Sequence, residues 1–186
     1  MFSHIQENLL MLPGSGITVE LTITATEPPF REYNTKSGGK GLTVQTNDYI
    51  IIACKIEGRR ETVAVSYLCW EQFRTGLQES KKFMEAAFKY DTTNNAYALD
   101  KDHLGGYKIE NLCRDGALLF KPVVDKDTEA GTETPGVDIY FADDFATFVA
   151  WNDYIALTEF FANFNLYMAA KTLMQLSMTY EATYGN

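Results

Sequence analysis

From Ile17 the chain alternates strictly, with Ile17, Val19, Leu21 and Ile23 on one side and Thr18, Glu20, Thr22 and Thr24 on the other. That period of two marks a strand with one buried face. Glu27 to Phe30 closes it, and Arg31 to Gly41 reads as a loop carrying Tyr33, Lys36 and Lys40 among glycines. Three more short runs follow: Leu42 to Thr46, Tyr49 to Glu57 and Arg60 to Val65, separated by the turn formers Asn47, Asp48 and Gly58. In them Ile50, Ile52, Cys54, Ile56, Val63 and Val65 point to a core. The period then lengthens. Trp70, Phe73, Leu77, Met84 and Phe88 fall at helical spacing, with Glu71, Arg74, Gln78, Glu79, Lys81 and Lys82 on the solvated face. Ser66 is placed to cap that helix. Asp91 to Asn95 is a turn-rich break.

The second half repeats this order less regularly. Asn95 to Asp100, Tyr107 to Arg114, Ala117 to Val124, Val137 to Phe141 and Phe145 to Val149 read as strands, with Asp125 to Gly136 an acidic loop mobile at its tip. Asn152 is then expected to cap a helix running to about Tyr180. Its apolar residues cover more than one face, as in a helix shared between layers or with another subunit. Residues 1–13 read as a short arm, ended by Pro13 and Gly14.

The two helical stretches echo each other at an offset of 84: Tyr67, Trp70, Phe73, Leu77 and Met84 against Trp151, Tyr154, Leu157, Phe161 and Met168. Each follows a short strand. The implied organisation is α+β: an N-terminal arm (1–13), a first unit of four antiparallel strands and a helix (14–97), and a second such unit (98–186), with the sheets packed on the helices in one compact domain.

Charge changes the picture in one respect. Of the net −9, residues 123–186 carry 10 Asp and Glu against 2 Lys and Arg, while residues 1–122 are nearly balanced at 15 against 14. So acidic a chain is a poor candidate for nonspecific duplex binding, which depends on phosphate neutralisation. Cys54, Cys69 and Cys113 are an odd set without CxxC spacing, which fits buried side chains in a reducing compartment rather than a disulfide framework or zinc site. The N-terminus lacks the basic region of a secretory signal, and the late apolar helix is interrupted by Asn152, Asp153, Glu159 and Lys171. A cytoplasmic protein, or one of the host cytoplasm if viral, is the expectation.

No enzyme is indicated. His4 and His103 lie in no nucleophile or metal motif, and the pairs Asp125 with Asp127 and Asp143 with Asp144 lack the spacing of a calcium loop. Ser37 to Gly41 is a flexible basic loop without the second half of a phosphate-binding motif. No cofactor is called for. The outward face of the first strands is more informative, displaying Thr18, Thr22, Thr24, Thr43, Gln45, Tyr49, Lys55, Arg60 and Thr62. Aromatics for stacking and cations for phosphates on a sheet suit single-stranded nucleic acid, although a solvated antiparallel face carries the same residue types. Tyr107, Lys108, Arg114, Phe120, Lys121 and Tyr140 are weaker counterparts in the second half.

With Val63, Val65, Ser66, Tyr67, Trp70, Glu71, Phe73 and Leu77 at the first strand-to-helix junction, and Phe145, Phe148, Val149, Trp151, Tyr154, Leu157 and Phe161 at the second, the chain resembles the Whirly and Pur group of single-stranded nucleic-acid-binding proteins. The resemblance implies single-stranded DNA or RNA held on the sheets, and helices packing two units or subunits together. The chain is more acidic than typical members and has no match to the lysine-rich Whirly motif, so no binding residue transfers individually. Strand facing and loop chemistry nominate Tyr33, Tyr49 and Tyr107 for base stacking. For phosphate contact they nominate Lys36, Lys40, Lys55, Arg59, Arg60 and Lys108. A homo-oligomer that binds single-stranded DNA, in viral or bacterial replication or recombination, is the expected function. The alternative is a structural or assembly protein that oligomerises through its C-terminal helix.

Overall fold

The computed structural model describes residues 2–25, 30–44, 49–56, 58–112, 116–142, 144–166 and 168–169. Its architecture is α+β, with antiparallel sheets and two helices. Residues 1–13, expected as an arm, supply the first strand instead. β1 (Phe2–Leu12) pairs with β2 (Ile17–Ala25), and a register shift between Gln6 and Leu10 interrupts its alternation. The expected loop after β2 is also structured: β3 (Phe30–Asn34) pairs with β4 (Lys40–Val44), which overlaps the strand expected from Leu42, in a separate two-stranded hairpin and not in the main sheet. The first main sheet therefore skips that hairpin and runs β1-β2-β5-β6, with β5 at Tyr49–Ile56 and β6 at Arg59–Ser66. Gly58, at φ +80, makes the tight β5–β6 turn possible.

The Ser66 hydroxyl accepts from the Leu68 N–H at 3.3 Å, and a 3-10 turn at Tyr67–Cys69 leads into α1 (Trp70–Ala87). β7 (Phe88–Asp91) and β8 (Ala96–Leu99) make a second small hairpin, whose turn is held by Asp91 Oδ1 accepting the Thr93 N–H at 2.8 Å. The second main sheet is β9 (Tyr107–Ile109), β10 (Leu118–Asp127), β11 (Thr132–Phe141) and β12 (Asp144–Ala150), in the spatial order β12-β11-β10-β9. The segment 125–136 is thus no long loop. β10 and β11 pair from Leu118 with Phe141 out to Asp127 with Thr132, and Asp127 Oδ1 accepts the N–H groups of Glu129 and Ala130, each at 2.9 Å, to close the turn.

α2 (Trp151–Asn163) is shorter than its apolar run suggests, because Phe164 leaves the helical conformation at ψ 120. Helical residues resume at Leu166, with the Asn165 side chain accepting the Met168 N–H at 3.0 Å. The continuation to Tyr180, like Gln45, Cys113, Arg114 and Asp143, lies outside the described residues. No helix among the described residues is long and apolar enough to cross a membrane.

Both ends of α2 are held by distant residues. Ala150, not Asn152, is the N-cap and has no side-chain cap. The Ser15 hydroxyl, in the β1–β2 turn, substitutes: it accepts the Ala150 N–H at 2.9 Å and donates to Asp153 Oδ2 at 2.6 Å. At the other end Arg74, expected on the solvated face of α1, donates from Nε to the Phe161 carbonyl at 3.1 Å and from Nη2 to that of Ala162. It thereby satisfies carbonyls that a helix end leaves unpaired.

One face of each sheet and both helices enclose a single core. Val19, Ile52 and Val63 of the first sheet, Phe73 and Leu77 of α1, Leu118, Phe120 and Ile139 of the second sheet, and Leu157 and Phe161 of α2 meet around one small apolar cavity. Between the helices, Ser80 and Tyr154, both 0 % exposed, are hydrogen-bonded at 2.6 Å.

Candidate nucleic-acid interface

Because side chains alternate across a strand, the core-facing residues fix which residues point outward. On the first sheet, the register sets Thr18, Lys55 and Arg60 in one row and Glu20, Ala53 and Thr62 in the next, both on the face opposite Val19 and Val63. Lys55 and Arg60 are exposed and directly paired, so the structure brings two of the nominated cations together. They converge on Glu20, with Lys55 Nζ 2.5 Å from Oε2 and Arg60 Nε 3.0 Å from Oε1. The hydrogen bond from Lys55, joined by Arg60, holds the Glu20 carboxyl below its usual 4.5. Glu20 is itself only 3 % exposed. Much of the positive charge nominated for phosphate is therefore already engaged by a carboxylate of the same face.

The other nominated residues are dispersed. Lys36 is exposed in the ordered β3–β4 turn, where Thr35 Oγ1 accepts the Gly39 N–H at 2.9 Å, and exposed Lys40 opens β4 opposite Asn34. Arg59 is exposed beside the Gly58 turn. Tyr33 lies on β3 opposite Gly41, and Tyr49 lies on β5 opposite Thr24 and Ser66, at the far end of the strand from Lys55.

Tyr107 requires a correction. It sits opposite Phe120, on the core side of β9, where its ring meets Phe83 at 5.8 Å and its hydroxyl donates to Glu79 Oε2 at 2.7 Å. Burial, with that carboxylate beside it, pushes the phenol up to about 12. Its ring is half-buried and lies off the outer face of the sheet. Lys108 does point outward, exposed, and pairs with Glu110 at 3.0 Å. Phe120 is core at 1 % exposure.

The outer face of the second sheet carries what sequence reasoning had placed elsewhere or ranked low. Lys108, Leu119 and Tyr140 form one row, and Lys121, Asp138 and Phe148 the next. Lys121 Nζ lies 4.9 Å from the centre of the Tyr140 ring, a cation–π contact. Phe148 lies across Gly136, where a Cβ would come within 2.4 Å of its ring atoms. Gly136 leaves room for an aromatic ring resting on the sheet. Gly106, at φ +82, brings the edge of β9 so near β10 that a Cβ would meet the Phe120 carbonyl at 2.4 Å. The strict alternation of Val137 to Phe141 was the signal that could have picked out Tyr140, and the register with β12 adds Phe148.

The histidines lie apart in the fold. His4 pairs in β1 with Ile23, and His103 Nδ1 lies 2.9 Å from Asp100 Oδ2, its ring 4.6 Å from that of Phe83. Cys69 donates to the Asn111 carbonyl at 3.3 Å. Among the described residues no group of three or more His, Cys, Asp or Glu is placed to hold a metal ion. No protein-family model, curated protein or solved structure matches the chain.

Proposed function

We propose that this chain is a noncatalytic single-stranded nucleic-acid-binding protein of Whirly/Pur-like organisation, built from two copies of a unit of four strands and a helix. The observation that carries the reading is the inequality of the two sides of each sheet. One side closes the common core, and the other bears Lys55, Arg60 and Thr62 on the first sheet and Lys121, Tyr140 and Phe148 on the second. Aromatic and cationic side chains on one sheet face suit an unpaired strand, whose bases stack and whose phosphates pair. The internal repeat is supported by the matched burial of Trp70 with Tyr154, Phe73 with Leu157 and Leu77 with Phe161. It breaks at Met84, which is buried, against Met168, which is 59 % exposed.

With Lys55 and Arg60 engaged by Glu20, binding rests more on stacking than on charge, and it weakens only gradually with salt. Fluorescence anisotropy of a labelled oligonucleotide and its duplex, at low and raised salt, tests this. Preference for the single strand with a shallow salt slope supports the reading, and no binding at low salt defeats it.

A second reading, an assembly protein oligomerising through the C-terminal helix, is favoured by exposed Met168 and by the negative charge of residues 123–186. It predicts a concentration-dependent oligomer indifferent to oligonucleotides.

A further inference from the structure

The outer face of the second sheet holds a carboxylate whose position is unexplained by folding. Asp138 stands directly opposite Lys121 on β10 and Phe148 on β12, and two positions from Tyr140 on its own strand. It is half-buried, which works against its charged form. A cross-strand lysine would be its natural partner. Lys121 instead places its ammonium over the Tyr140 ring; its charge favours the Asp138 carboxylate and that of Asp125 opposes it, but no hydrogen bond or close ion pair among the described residues engages the Asp138 oxygens. An acceptor with open lone pairs thus lies within a base-width of two aromatic rings, beside a cation. Desolvated carboxylates without donors are costly to keep, so the site is complementary to a ligand that offers both a π-face and an N–H.

Resting on the single-strand reading above, we infer that this face is a base-reading subsite selecting unpaired bases that carry an exocyclic amine, with Asp138 as the acceptor. A base stacked on Tyr140 or Phe148 turns its hydrogen-bonding edge along the strand toward Asp138. Cytosine presents an amine at position 4, and a carboxylate accepts from it. Uracil presents a carbonyl oxygen at the same position, and its one N–H on that edge, at N3, lies between two carbonyl oxygens that repel the carboxylate. Lys121, held over the Tyr140 ring, remains close enough to meet the strand's phosphate or a base carbonyl.

Oligo-dC and oligo-dU of equal length test this difference, because their bases differ only at position 4 and in the proton that uracil carries at N3. Anisotropy at neutral pH is expected to show oligo-dC bound about tenfold more tightly, the scale of one charge-assisted hydrogen bond. In Asp138→Asn, whose amide both donates and accepts, the preference collapses to within about twofold, with thermal unfolding checking the fold. The wild-type comparison needs no variant, so a variant that fails to fold leaves the test standing. Equal affinity of the wild type for both oligonucleotides, or a preference that survives Asp138→Asn, overturns the subsite while leaving single-strand binding intact. Absence of binding to either overturns both.

Discussion

Ser80 and Tyr154 are the one buried polar pair joining the two helices among the described residues, and they make a sharp test of how the core is held. Ser80 Oγ lies 2.7 Å from the Leu77 carbonyl, which accepts its proton, so the Tyr154 hydroxyl must be the donor in the 2.6 Å bond between the side chains. Burial raises the Tyr154 pKa and keeps its phenol protonated. Ser80→Ala therefore strands a phenol proton in the core, at a cost of about 1–3 kcal/mol. Tyr154→Phe removes only the donor and leaves Ser80 bonded to Leu77, costing about 0.5–1.5 kcal/mol. Once the alanine is present, removing the hydroxyl also removes the stranded group, so the double variant is no less stable than Ser80→Ala alone. Urea unfolding followed by circular dichroism measures all four corners of the cycle. Additive costs, or a Ser80→Ala cost under about 0.5 kcal/mol, would refute the assigned direction of the bond.

Three other perturbations probe the faces and the helix ends. Glu20→Gln releases Lys55 and Arg60, so the salt slope of single-strand binding steepens by about 1.4 for two newly contacted phosphates, which a titration across salt concentrations reads. Because the folded-state pKa of Glu20 lies below 4.5, its stabilising contribution is full above that pH and is lost as pH falls through the folded value. Acid unfolding of Glu20→Gln is accordingly less steep below pH 4.5 than that of the wild type. Arg74→Ala frees the last carbonyls of α2 and costs about 1–2 kcal/mol, whereas Arg74→Lys recovers only part because a single ammonium cannot reproduce the fork; thermal unfolding distinguishes the three proteins. Gly136→Ala drives a Cβ into the Phe148 ring, and single-strand affinity falls about threefold or more while the duplex remains a poor ligand.

What was legible in the sequence was local. β2, β5 and β6 announce themselves by alternation, and the buried stripe of α1 by its spacing, because each depends on one period and one neighbouring layer. β1 escaped because the register shift between Gln6 and Leu10 breaks its period. β4 was anticipated as the run from Leu42, but its partner β3 looked like a loop because it is five residues long and runs into a glycine-rich turn. The ends of α2 depend on Ser15 and Arg74, far away along the chain, and no helix-end signal within residues 150–164 specifies them. At the candidate interface, alternation placed Glu20 on the outward side but could not show Lys55 and Arg60 closing on it. Tyr107 was misplaced for a related reason: β9 has only three residues, too few for a periodic pattern to reveal its core side.

In the proposed function the outer sheet faces, and the second above all, receive an unpaired strand. The most direct measurement is the affinity of a labelled mixed-sequence single strand for the wild type and for Tyr140→Ala/Phe148→Ala, with circular dichroism confirming that both are folded. Binding by the wild type and a loss of about tenfold or more in the variant are expected, because two stacking platforms are removed. Equal affinity in the two proteins, or no binding by either, would contradict that reading.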